Sequence, residues 1–104
     1  MDVSKYAAIF LAESREHLSS CNHLLLKWER DPAATDAVGG LFRSIHTIKG
    51  MAATMGFTAV AELAHRMESL LDGVRHGRVT MDTGTFELLF RATYAATARL
   101  YPHG

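Results

Sequence analysis

Four stretches of the chain carry mostly apolar residues at alternating steps of three and four, and that spacing leaves little choice of fold. The first runs Ala7, Leu11, Ser14, Leu18, Cys21, Leu25, Trp28, and the second Val38, Leu41, Ile45, Ile48, Ala52, Met55. The third runs Val60, Leu63, Met67, Leu70, Val74, and the fourth Phe86, Leu89, Thr93, Ala96, Leu100. Residues three and four apart share one side of a helix, so each series is a stripe that must be buried against another helix. No segment alternates with period two over the length of a strand.

The breaks between the stripes are short and have turn chemistry. Asp31-Pro32 ends the first helix, because a residue before proline is pushed out of the α region. Gly56 suits a left-handed C-terminal cap, and Thr58 is expected to cap the helix that follows. Gly77 closes the third helix after Arg75 and His76, and Asp82 or Thr83 starts the fourth. Short loops make successive helices antiparallel. The expected fold is all-α, an up-down-up-down four-helix bundle in one domain over 1–104. Its first helix has roughly 25 residues and a length of about 38 Å. The Gly39-Gly40 pair weakens the first turns of the second helix, and nothing in the sequence accounts for it.

Composition narrows the function. Lys+Arg and Asp+Glu number 11 each, so the net charge is zero. That argues against a nucleic-acid partner or an anionic membrane surface. The single cysteine, Cys21, rules out an intrachain disulfide and fits a reducing, cytoplasmic setting. There is no apolar run long enough to insert in a membrane, and no signal-peptide pattern at the start.

The polar residues beside the second stripe carry the chemistry. Phe42, His46, Lys49 and Ala53 form one row at the edge of the apolar face. Gly50 sits within the same helix, where glycine costs about 1 kcal/mol against alanine. Helical side chains lean toward the N-terminus, so the residue four after His46 would cover its ring. Glycine there leaves the imidazole open to a bulky partner. A ring nitrogen beside an ammonium and an empty space suits an incoming phosphoryl group. On the third helix Ala61, His65, Glu68 and Asp72 form a second row. His46 lies ten residues before Gly56 and Glu68 twelve after it, so both are roughly 15–18 Å from the turn. A carboxylate at that level can accept a hydrogen bond from Nδ1, fix the tautomer and leave Nε2 as nucleophile. The remaining histidines, His17, His23, His76 and His103, read as ordinary surface groups. Met51, Met55, Met67 and Trp28 read as core filling.

The run His46-Thr47-Ile48-Lys49-Gly50-Met51-Ala52-Ala53-Thr54-Met55-Gly56-Phe57 resembles the signature of histidine phosphotransfer domains, in particular those at the N-termini of chemotaxis histidine kinases. Glu13-Ser14-Arg15-Glu16-His17-Leu18 and Ala61-Glu62-Leu63-Ala64-His65-Arg66-Met67-Glu68 extend the likeness to the first and third helices. The resemblance implies that His46 is the phosphoacceptor, Glu68 orients it, Lys49 offsets phosphoryl charge, His65 supports the site and Gly50 gives clearance. It also implies that the chain is the N-terminal fragment of a multidomain kinase, with a fifth helix possible beyond it. The kinase ATP-binding domain, using ATP and Mg²⁺, would then be the donor, and receiver domains of response regulators the acceptors. The fragment itself would bind no cofactor or metal and would be a phosphocarrier rather than a complete enzyme. The alternative is a non-catalytic helical interaction module, which leaves His46 and Gly50 unexplained. A di-iron bundle is disfavoured, since His65-Arg66-Met67-Glu68 reverses the Glu-x-x-His order such sites use.

Overall fold

The computed structural model describes residues 3–100, with side chains from Lys5 onward; His103 and the end of the chain lie outside the described residues. Four helices follow one another: α1 (Val3–Arg30), α2 (Thr35–Met55), α3 (Thr58–Arg75) and α4 (Thr83–Leu100). They close a ring in which α1 packs on α2, α2 on α3, α3 on α4 and α4 back on α1. The result is the four-helix bundle expected, 45 Å along its long axis. α1 has 28 residues, somewhat longer than expected, because nothing before Asp31 interrupts it.

The stripes of α1, α2 and α4 form the core much as the periodicity requires. Leu18, Cys21, Leu25, Leu41, Ile45, Ile48, Ala52, Leu89, Ala96 and Leu100 are all buried. Ala7, Leu11, Val38 and Met55, toward stripe ends, are only half-buried, and Phe10 is buried in the first helix instead. The third stripe needs correcting. Val60 and Met67 are buried as expected, but Ala64 and Leu71 face the core in place of Leu63 and Leu70, which are half-buried. Apolar residues occupy both rows, and contact with α2 and α4 together selects the row one residue on. Leu63 and Leu70 instead line a shallow groove against Leu88 and Ala92 of α4.

Aromatic pairs close both ends. Phe10 stacks on Phe57 at 4.6 Å, and Trp28 meets Phe86 edge-on at 5.2 Å. The α2–α3 turn is tight. Gly56 takes φ 78, a left-handed geometry that glycine adopts without a Cβ penalty. The Phe57 N–H donates to the Ala52 carbonyl at 2.9 Å, and the Phe57 carbonyl accepts the Ala61 N–H at 3.0 Å. α3 therefore starts from the backbone of Phe57, and Thr58 is its first residue rather than its side-chain cap. Asp82 does cap α4: its Oδ1 accepts the Thr85 N–H at 2.9 Å. Gly40 also acquires a reason, since a Cβ there would stand 3.2 Å from Leu24 Cδ1. The glycine lets α2 approach α1 closely near its start.

Candidate functional site

The α2–α3 turn sets the register of the site. With the two helices returning past each other from Gly56, the edge rows carrying His46 and Glu68 come to the same level. His46 Nδ1 lies 2.6 Å from Glu68 Oε2. Lys49 Nζ donates to the other carboxylate oxygen, Oε1, also at 2.6 Å. Both oxygens of Glu68 are thus engaged from α2.

Exposure separates the roles of these groups. The side chain of Glu68 is 16% exposed and that of His46 64%, while Lys49 is 29% exposed. The carboxylate is shielded and the imidazole reaches solvent. Burial alone would push the Glu68 carboxyl up, but hydrogen bonds from Lys49 and His46, reinforced by their charges, hold it below the usual carboxylate value. Glu68 is therefore ionised at neutral pH and can only accept. Nδ1 of His46 must carry the hydrogen of their bond, and in the neutral ring Nε2 keeps its lone pair.

The surroundings leave room on one side of the ring. A Cβ built on Gly50 would meet nothing within 4 Å. The hydroxyls of Thr47 and Thr54 are turned onto their own helix, donating to the carbonyls of Arg43 and Gly50 at 2.9 Å each. On the other side stands Phe42, whose ring lies parallel to the imidazole at 6.4 Å between centroids. Arg75 of α3 covers Phe42, its Cζ 4.8 Å from the ring centre.

The structure thus brings together His46, Lys49 and Glu68 and leaves Gly50 open. It does not bring in His65, which is exposed and makes no hydrogen bond or ion pair among the described residues. Lys49, assigned from sequence to phosphoryl charge, rests on Glu68 in this state. The Arg75–Phe42–His46 series was missed; its one local signal is an aromatic residue four before the histidine. Cys21 lies in the core away from these groups, and burial pushes its thiol up to about 12. Among the described residues no group of three His, Cys, Asp or Glu could hold a metal ion.

Comparisons with known proteins give the family and the fold. A family model described as the Hpt domain matches residues 5–99. The chemotaxis protein CheA of Bacillus subtilis is 44% identical over 92 residues, which are 88% of this chain but 14% of that protein. The chain thus spans about a seventh of the length of that relative. Among solved structures, the CheA phosphotransferase domain from Thermotoga maritima superposes with a TM-score of 0.88 at 29% identity, covering 99% of this chain and 97% of that one. The phosphorylated domain of CheA3 in complex with CheY6 from R. sphaeroides superposes with a TM-score of 0.86 at 31% identity, covering 94% of this chain and 77% of that one.

Proposed function

The chain belongs to the Hpt domain family, and from that premise we propose that His46 carries a phosphoryl group between a kinase and a response regulator in a CheA-type chemotaxis pathway. The observation that carries this reading is the 2.6 Å bond from Nδ1 to a shielded carboxylate, beside a glycine that leaves the ring open. The donor is ATP with Mg²⁺, held by the ATP-binding domain of a parent kinase. The Nε2 lone pair attacks the γ-phosphorus, the bond from phosphorus to the bridging oxygen breaks, and ADP leaves. The ring becomes cationic and keeps its hydrogen on Nδ1, donated to the Glu68 carboxylate, which stabilises that charge. Lys49, within reach of the same carboxylate, can exchange Glu68 for the dianionic phosphoryl group. In the second transfer an aspartate of a receiver domain attacks phosphorus, and the nitrogen–phosphorus bond breaks.

The CheA3–CheY6 complex supports a receiver domain as acceptor. No described helix is long and apolar enough to cross a membrane, which is compatible with a pathway in the cytoplasm. The test is incubation with Mg-ATP and the kinase core of the Bacillus subtilis relative, with the modified residue located by mass spectrometry. Acid-labile, base-stable phosphate on His46 is expected. Label elsewhere overturns the assignment to His46, and no label overturns the proposal and leaves the helical interaction module as the better reading.

A further inference from the structure

A single hydrogen bond fixes one atom of an imidazole but not its plane. With Nδ1 held near Glu68, coupled changes in χ1 and χ2 of His46 could still tilt the ring and carry Nε2 through an arc. We infer that Phe42, held by Arg75, is a positioning residue that supplies the missing constraint. Its ring is parallel to the imidazole within 7° at 6.4 Å, inside the range of offset-stacked aromatic pairs. The direction follows from helix geometry. His46 leans toward the N-terminus of α2, onto the residue four before it, which is Phe42. On the opposite side Gly50 offers nothing. The imidazole therefore has a wall on one side and an opening on the other.

The wall is itself tied down from α3. Arg75 lies over the Phe42 ring at 4.8 Å, a cation–π distance. It has no carboxylate partner among the described residues. Asp72, one turn earlier, is already taken by His76 at 3.3 Å and Arg78 at 3.0 Å. Two cross-links between α2 and α3 thus bracket His46: Glu68 at the edge of the ring, and Arg75 through Phe42 at its face.

This inference rests on the proposed phosphoryl acceptance, and a small donor separates the two. Phosphoramidate needs no protein docking: Nε2 attacks its phosphorus, the phosphorus–nitrogen bond breaks and ammonia leaves. Phe42→Ala is expected to lower the saturating rate of His46 phosphorylation about threefold to tenfold with the KM for phosphoramidate unchanged. Phe42→Tyr, which keeps the flat face, should restore it. Phe42 also packs on the core, so the exposed Arg75 gives a second arm that spares the core. Arg75→Gln should cost about twofold, and Arg75→Lys should recover most of it. Nitrogen-15 NMR should show the Nδ1-H tautomer kept and ring mobility raised in the slow variants. Wild-type saturating rates in Arg75→Gln and folded Phe42→Ala would overturn the inference, as would a change confined to KM. Absence of phosphate on His46 in the wild type would instead sink the underlying function, and this inference with it.

Discussion

The α2–α3 edge and the α1–α4 edge of the bundle use polar residues in opposite ways. Along α2–α3 the side chains reach across: His46 and Lys49 meet on Glu68, and Arg75 covers Phe42. Midway along α4 two hydroxyls turn onto their own helix. Thr93 and Thr97 each donate to the carbonyl four residues back, at 2.8 Å. Arg15 of α1 donates to the Leu100 carbonyl of α4 at 2.7 Å. Ser14 is fully buried, and its hydroxyl has no hydrogen-bond partner among the described residues. One edge is cross-linked and chemically poised; the other is scaffold, held by apolar packing.

The sharpest way to test that division is to remove the proposed phosphoacceptor alone. His46→Gln is expected to abolish phosphorylation while changing stability by no more than about 0.5 kcal/mol. Mostly exposed, the imidazole contributes little packing, and Lys49 keeps its partner on Glu68. Loss of cooperative unfolding in this variant would mean that the cross-linked edge also holds the fold together.

Two helical glycines give the next contrast. A Cβ on Gly73 would stand 2.8 Å from Val79 Cγ2, whereas one on Gly50 meets nothing within 4 Å. Gly73→Ala should destabilise by about 1–3 kcal/mol through overpacking. Gly50→Ala should be neutral or stabilising by up to about 1 kcal/mol. Gly50→Gln should keep the bundle yet slow kinase-dependent phosphorylation. Denaturant midpoints and phosphorylation rates check all three, and a normal rate for Gly50→Gln would remove the clearance argument.

The reach of the sequence follows the same division. Helix ends written in local chemistry, Asp31-Pro32, Gly56 and Asp82, were legible, as were stripes whose neighbouring row is polar. The level of His46 against Glu68 was legible because it needs only a turn position and a rise per residue. The face of α3 was not, since Leu63-Ala64 and Leu70-Leu71 offer two apolar rows and only packing chooses between them. Nor was the contact of Arg75 with Phe42, which joins residues far apart in sequence, or the role of Gly40, whose partner Leu24 is on another helix. The partner of Lys49 was missed because both Glu68 and an incoming phosphoryl group suit an ammonium.

Glu68 ties the cross-linked edge to pH. Its carboxyl lies below the usual 4.5 in the folded protein. Its contribution to stability is therefore complete above the unfolded value and lost as pH falls through the folded one. A Glu68→Gln variant should lose that part of the acid sensitivity. Glu68→Ala should slow phosphorylation about tenfold, because tautomer and orientation are no longer imposed. Acid unfolding curves that coincide for wild type and Glu68→Gln would show that the carboxylate adds nothing to the fold.

Ser14 probes the scaffold edge and carries the smallest expected effect. A buried hydroxyl normally recovers its lost hydration by bonding the carbonyl four residues back, as Thr93 and Thr97 do. Ser14 sits in the α1 stripe without that bond, so its burial costs free energy that no partner offsets. Ser14→Ala removes the polar atom at little loss of volume. It is expected to stabilise the bundle by about 1 kcal/mol, read as a higher urea midpoint at unchanged slope. The phosphorylation rate should not move, because among the described residues Ser14 has no hydrogen bond to His46 or Glu68. A fall in stability would show that the hydroxyl has a partner after all. A change in rate at unchanged stability would show that the two edges are coupled through the core, and the separation of scaffold from site would fail.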